Sequence, residues 1–124
     1  MKERAEKGFR KLIVWQRAHK LTLLVYKLSE SFPKHEMYGL TSQLRRAAAS
    51  VPANIAEGYA LGSSAQYLRH LRIARGSLSE VEYFLFLTRD LEYISQGDYP
   101  DAENHRAEVG FLLWRLIDSI EKKK

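Results

Sequence analysis

The side chains of this sequence that can do chemistry are arginines, histidines and two glutamates. Arg45, Arg46, Arg69, Arg72 and Arg75 fall in two clusters. A guanidinium is a fork of donors that matches phosphate oxygens, so clustered arginines beside aromatic rings suit nucleic acid. On a helix, Arg69, Arg72 and Arg75 step over about 120°, with Tyr67 and His70 close by. Arg69 and Arg72 are expected to be exposed ahead of Arg75, for which Glu57 and Glu80 are candidate partners. Tyr67 belongs to an apolar stripe and reads as core before it reads as a base-stacking ring. His19, His35, His70 and His105 form no pair at metal-ligand spacing, and the Glu-x-x-His of di-iron bundles is absent. Glu57 and Glu80 resemble paired carboxylates, but Arg46 and Arg75 nearby make a salt-bridge network the better reading. Residues 58–64 hold two glycines and two serines without a lysine, so they are no phosphate loop. With no cysteine and no supported Ser/His/Asp set, neither an enzyme nor a cofactor site is expected.

Composition bounds the rest. A chain of 124 residues, 45% hydrophobic and 28% charged, fits one globular domain. The net charge of +5 is uneven. Residues 1–80 carry fourteen Lys/Arg against six Asp/Glu, a balance of +8, whereas residues 81–124 carry six against nine, or −3. A basic front attracts polyanions; the plainer reading is solvated helix faces, with Lys122-Lys123-Lys124 complementing a helix C-terminus. Neither a signal peptide nor a membrane span is read near the N-terminus, where the apolar run is only Leu12-Ile13-Val14-Trp15, so a cytoplasmic location is expected.

These residues must be positioned by helices, because the apolar pattern has a period near 3.6. A first helix is expected over about 13–31, with Val14, Ala18, Leu21, Val25 and Leu28 inward, stopped by Phe32-Pro33. A second over 40–60 contains Pro52, which should bend it, and ends at Gly62. Ser63 to Gln66 reads as a capping box opening a third helix over 64–94, and a fourth follows over 100–121. Four helices with short connections predict an all-α, antiparallel four-helix bundle of one domain.

The second helix lacks an ordinary solvent face. Leu44, Ala48, Val51, Ile55 and Tyr59 form its apolar side, and Gln43, Arg46, Ser50, Asn54 and Glu57 form a polar arc beside it. The remaining arc is mostly small: Ser42, Ala49, Pro52, Ala53, Ala56 and Ala60, with Arg45 the one long side chain. A monomer should place charge there, so this helix is expected to be covered by a second copy. The third helix has a stripe at Tyr67, Leu71, Ala74, Leu78, Val81 and Leu85, and a second at Ile73, Phe84, Leu87, Leu91 and Ile94 that a monomer would leave wet. Gly76, mid-helix, is expected at a close crossing against Ala47 or Ala53.

Four segments carry a resemblance: residues 13–18 (Ile-Val-Trp-Gln-Arg-Ala), 39–48 (Gly-Leu-Thr-Ser-Gln-Leu-Arg-Arg-Ala-Ala), 50–58 (Ser-Val-Pro-Ala-Asn-Ile-Ala-Glu-Gly) and 74–80 (Ala-Arg-Gly-Ser-Leu-Ser-Glu). They resemble the four-helix-bundle proteins encoded in 23S rRNA intervening sequences, over about residues 12–95. The resemblance implies a bacterial homopentamer, related in fold to the basic, nucleic-acid-binding accessory proteins of diversity-generating retroelements. The family's own biochemical role is not established. On this view Gln43, Arg46, Ser50, Asn54, Glu57, Arg75 and Glu80 form a polar network at a bundle or subunit contact. The expected function is a non-enzymatic, ring-like homo-oligomer that binds structured RNA or other nucleic acid through Arg45, Arg69, Arg72 and Arg75. The alternative is an oligomeric protein-interaction scaffold without nucleic-acid affinity.

Overall fold

The structure, a computed structural model, describes residues 7–123. Lys124 of the basic tail lies outside them. Among the described residues there are four helices and no strand: α1 (Ile13–Ser29), α2 (Leu40–Leu61), α3 (Ser64–Asp90) and α4 (Asp98–Lys122). A 3₁₀ turn, Gly8–Lys11, precedes α1, and another, Lys34–Glu36, precedes α2. Each helix packs on two neighbours in the cycle α1, α2, α3, α4, and the α2–α3 pairing is the most extensive. The expected inward positions of α1 and α3 supply the centre, where Leu21, Val25, Leu71, Leu78, Val81 and Leu85 meet Leu44, Val51 and Ile55 of α2 and Val109 and Leu113 of α4.

Local chemistry explains the helix ends. The Ser63 hydroxyl accepts from the Gln66 backbone N–H at 3.1 Å and so caps α3 as expected, but it also donates to the Gln66 side-chain oxygen at 3.1 Å, so the reciprocal half of the capping box does not form. Gly62, at φ +88°, takes the left-handed position that releases the chain from α2. Helix α3 ends at Asp90 rather than running to residue 94, and the stop is a left-handed residue that is not glycine. Glu92 has φ +63°, its N–H donates to the Arg89 carbonyl, and the Tyr93 N–H donates to the Thr88 carbonyl. That pair of bonds is a Schellman motif. Tyr93 then donates to the Glu36 carboxylate at 2.9 Å. Glu36 in turn accepts from the Leu40 N–H at the start of α2, and chiefly for that reason its carboxyl titrates below the usual range.

Three expectations about covered faces change. Pro52 is buried, not part of an outward small-residue arc. The second stripe of α3 is mostly covered by the chain itself: Ile94 is buried, and Phe84 and Leu87 are half-buried, which leaves Ile73 and Leu91 exposed. Gly76 is no crossing point, since a Cβ built there meets nothing within 4 Å. The tight approach of α2 to α3 falls at Gly58, whose Cβ would sit 2.8 Å from the Cβ of His70 and 3.1 Å from Cδ1 of Tyr67.

Candidate nucleic-acid interface

The seam between α2 and α3 carries a chain of polar contacts. Ser77 and Ser50 share a hydrogen bond at 2.8 Å between their hydroxyls. The Asn54 amide nitrogen donates to the Ser50 carbonyl at 2.9 Å and lies 3.1 Å from its hydroxyl. Both contacts use the nitrogen, so the Asn54 oxygen is the acceptor that faces Nδ1 of His70 at 2.9 Å. Nδ1 therefore carries a proton, and Nε2 points toward Glu57 at 3.9 Å. Of the expected network, Ser50, Asn54 and Glu57 are joined in this way. Ser77 and His70 complete it. Both sit next to core leucines, Leu71 and Leu78, which is the positional signal that places them on the seam.

Gln43, Arg46 and Glu80 adjoin this seam without joining its hydrogen bonds. They line a groove of about 460 Å³ with Tyr38, Ser42 and Phe84, at whose floor Ser50 and Ser77 lie. Glu57 and Glu80 are thus set at different places along the seam and do not form a carboxylate pair. Nor do Arg46 or Arg75 form the expected ion pairs with these glutamates; among the described residues neither has a hydrogen-bond or ion-pair partner. Among the described residues no three His, Cys, Asp or Glu side chains are grouped as metal ligands. Among the described residues no helix is long and apolar enough to cross a membrane.

The arginines divide sharply. Arg45 is half-buried and donates to the Ser29 hydroxyl at 2.7 Å and the Tyr26 carbonyl at 3.2 Å, with its guanidinium 4.8 Å from the Tyr26 ring centre. It caps the C-terminus of α1. Arg72 pairs with Glu121 of α4. Arg69 and Arg75 are exposed, as is Arg46, and all three lack an acidic partner among the described residues. Arg72 is exposed as well, as expected, but α4 brings Glu121 onto it, whereas Arg75 meets neither Glu57 nor Glu80. Tyr67 is half-buried as expected, its hydroxyl is buried without a partner, and burial beside Tyr59 pushes its titration up to about 12. Its ring packs inside the bundle edge-on to Tyr59, at 6.1 Å.

Comparisons with known proteins place this geometry. No curated protein matches the sequence. A solved structure from Bacteroides thetaiotaomicron, a protein of unknown function from the S23 ribosomal protein family, superposes with a TM-score of 0.79 at 26% identity. The match covers 86% of this chain and 96% of that one. The family model for the 23S rRNA-intervening sequence protein matches residues 10–115, a span that contains the polar seam and all five arginines. The chain belongs to the 23S rRNA-intervening sequence protein family.

Proposed function

We propose that this protein is a non-enzymatic, cytoplasmic module whose four helices run antiparallel and whose copies join in a ring, pentameric as the family resemblance implies. The ring binds structured RNA or other nucleic acid through exposed arginines of α2 and α3. The observation that carries this reading is that Arg46, Arg69 and Arg75 are exposed on one helix pair without acidic partners among the described residues. In a ring each subunit repeats these cations, so weak phosphate contacts gain by multivalency. Fluorescence anisotropy of a labelled structured RNA and of a DNA duplex, titrated across salt, tests the reading. The Arg69→Ala/Arg75→Ala variant should bind more weakly and reduce the log–log salt slope by roughly 1.4 to 1.8, the share of two phosphate contacts. An unchanged slope would remove these residues from the interface.

The assembly half of the proposal rests on α2, where Ala53 and Ala60 are exposed and Ala49 and Ala56 half-exposed, a strip that admits another helix closely. Ala53→Glu should lower the oligomeric state in sedimentation while circular dichroism keeps its helical signal. A variant that sediments like the parent would show that this face is free. A second reading, a protein-interaction scaffold, is favoured by Phe111 and Trp114 on α4, which are 57% and 55% exposed with rings stacked 6.4 Å apart. Retention of a protein partner together with no nucleic-acid binding at low salt would select it.

A further inference from the structure

Residues 7–29 hold six Lys/Arg and no Asp/Glu. The fold turns this stretch into a layered aromatic surface. Phe9, in the turn before α1, meets Trp15 edge-on at 5.0 Å, and Trp15 stacks on His19 at 5.1 Å with the ring planes 9° apart. Phe9 and Trp15 are half-buried, whereas His19, one turn further along α1, is exposed. The stack therefore ends in a planar ring at the surface. The Gln16 side chain donates to the Arg10 carbonyl at 2.8 Å and fixes the turn against the helix, so the platform is formed in advance of any ligand. Lys20, next to His19 on α1, is exposed and has no ion-pair partner among the described residues, whereas the ammonium of Lys11 lies 5.8 Å from the Tyr59 ring centre. Glu108 of α4, the acid brought to this stretch, pairs with Arg17 at 3.2 Å.

We propose that the Trp15–His19 stack is a docking site for an unpaired base of a single-stranded nucleic acid, with Lys20 meeting its phosphates. Flat rings within a basic field are what sequence-tolerant binding of single strands requires, because every base offers a π face and every linkage a charge. A duplex keeps its base faces inside, and an acidic protein would have no use for the stack. The site lies on α1, apart from the arginines of α2 and α3, and the inference rests on the nucleic-acid reading while adding a strand class and a second contact to it.

The test uses the full chain carrying Trp114→Phe, which leaves Trp15 as the single tryptophan. Oligo-uridylate and oligo-thymidylate are titrated against a duplex of equal length. The expected result is quenching of Trp15 fluorescence by the single strands, with affinity about tenfold weaker after His19→Ala, in line with the loss of one base stack. His19 is exposed, so that variant keeps its helical signal. Quenching should persist in Arg69→Ala/Arg75→Ala. If single strands bind but His19→Ala neither weakens binding nor alters the quenching, the platform is not the site and the arginine surface stands. Should neither single strand nor duplex bind at low salt, both readings fall. Trp15 quenching that follows protein concentration without oligonucleotide would assign the platform to a second copy and overturn the proposal.

Discussion

Gly58→Ala should lower the stability of the protein by about 1–3 kcal/mol, although alanine is the better helix former by about 1 kcal/mol. The new Cβ would stand 2.8 Å from the Cβ of His70, far inside the 3.5–4.0 Å at which carbons attract. A Cβ cannot swing away as the end of a long side chain can, so α2 and α3 must separate along their most extensive pairing. Separation also stretches the contact between His70 and Asn54, now 2.9 Å, and exposes partly satisfied polar groups in the seam. The same substitution at Gly76 should act in the opposite direction. Nothing lies within 4 Å of that Cβ, so Gly76→Ala gains helix propensity, about 1 kcal/mol. Urea midpoints at matched protein concentration, with slopes unchanged, read both effects. A midpoint at or above the parent's for Gly58→Ala would sink the close-approach argument. A fall for Gly76→Ala would mean that a second copy covers α3 at that glycine.

The two glycines show which part of the molecule the pattern reveals. Gly58 lies in the last turn of α2 and Gly76 in the middle of α3, and their sequence surroundings do not say which one faces another backbone; only the relative rotation of α2 and α3 decides that. The apolar stripes are different in kind. Leu71, Leu78, Val81 and Leu85 repeat at helical spacing because one face of α3 must leave water, so the core could be read from period alone. The polar seam was half legible for the same reason: Ser50, Asn54 and Glu57 share an arc of α2, whereas their partners His70 and Ser77 come from another helix. The ion pair of Arg72 is not legible, because its partner Glu121 lies 49 residues away. The end of α3 was missed because its left-handed residue is Glu92, where a glycine would have announced the turn.

Thr22→Val should cost about 1–3 kcal/mol, and the loss should depend on Pro52. In a helix the N–H of residue 52 would donate to the carbonyl of Ala48, but proline has no N–H, so that carbonyl has lost its helical partner. Ala48 is fully buried, and water cannot replace the bond. The Thr22 hydroxyl of α1, itself buried, lies 3.0 Å from the Ala48 oxygen and 3.0 Å from the Ala18 oxygen of its own helix, and its single proton serves both. Valine has nearly the same shape and keeps the packing, so the substitution isolates the hydrogen bond. In a Pro52→Ala background the helical donor returns to Ala48, and the threonine hydroxyl becomes dispensable there. A double-mutant cycle on urea midpoints should therefore give a coupling of about 1–2 kcal/mol, well above the roughly 0.3–0.5 kcal/mol scatter of independent sites. Additive effects within that scatter would mean that Thr22 does not serve the proline's carbonyl. A coupled result would show that α1 repairs the break in α2, which allows a proline to persist at a buried position in the middle of that helix.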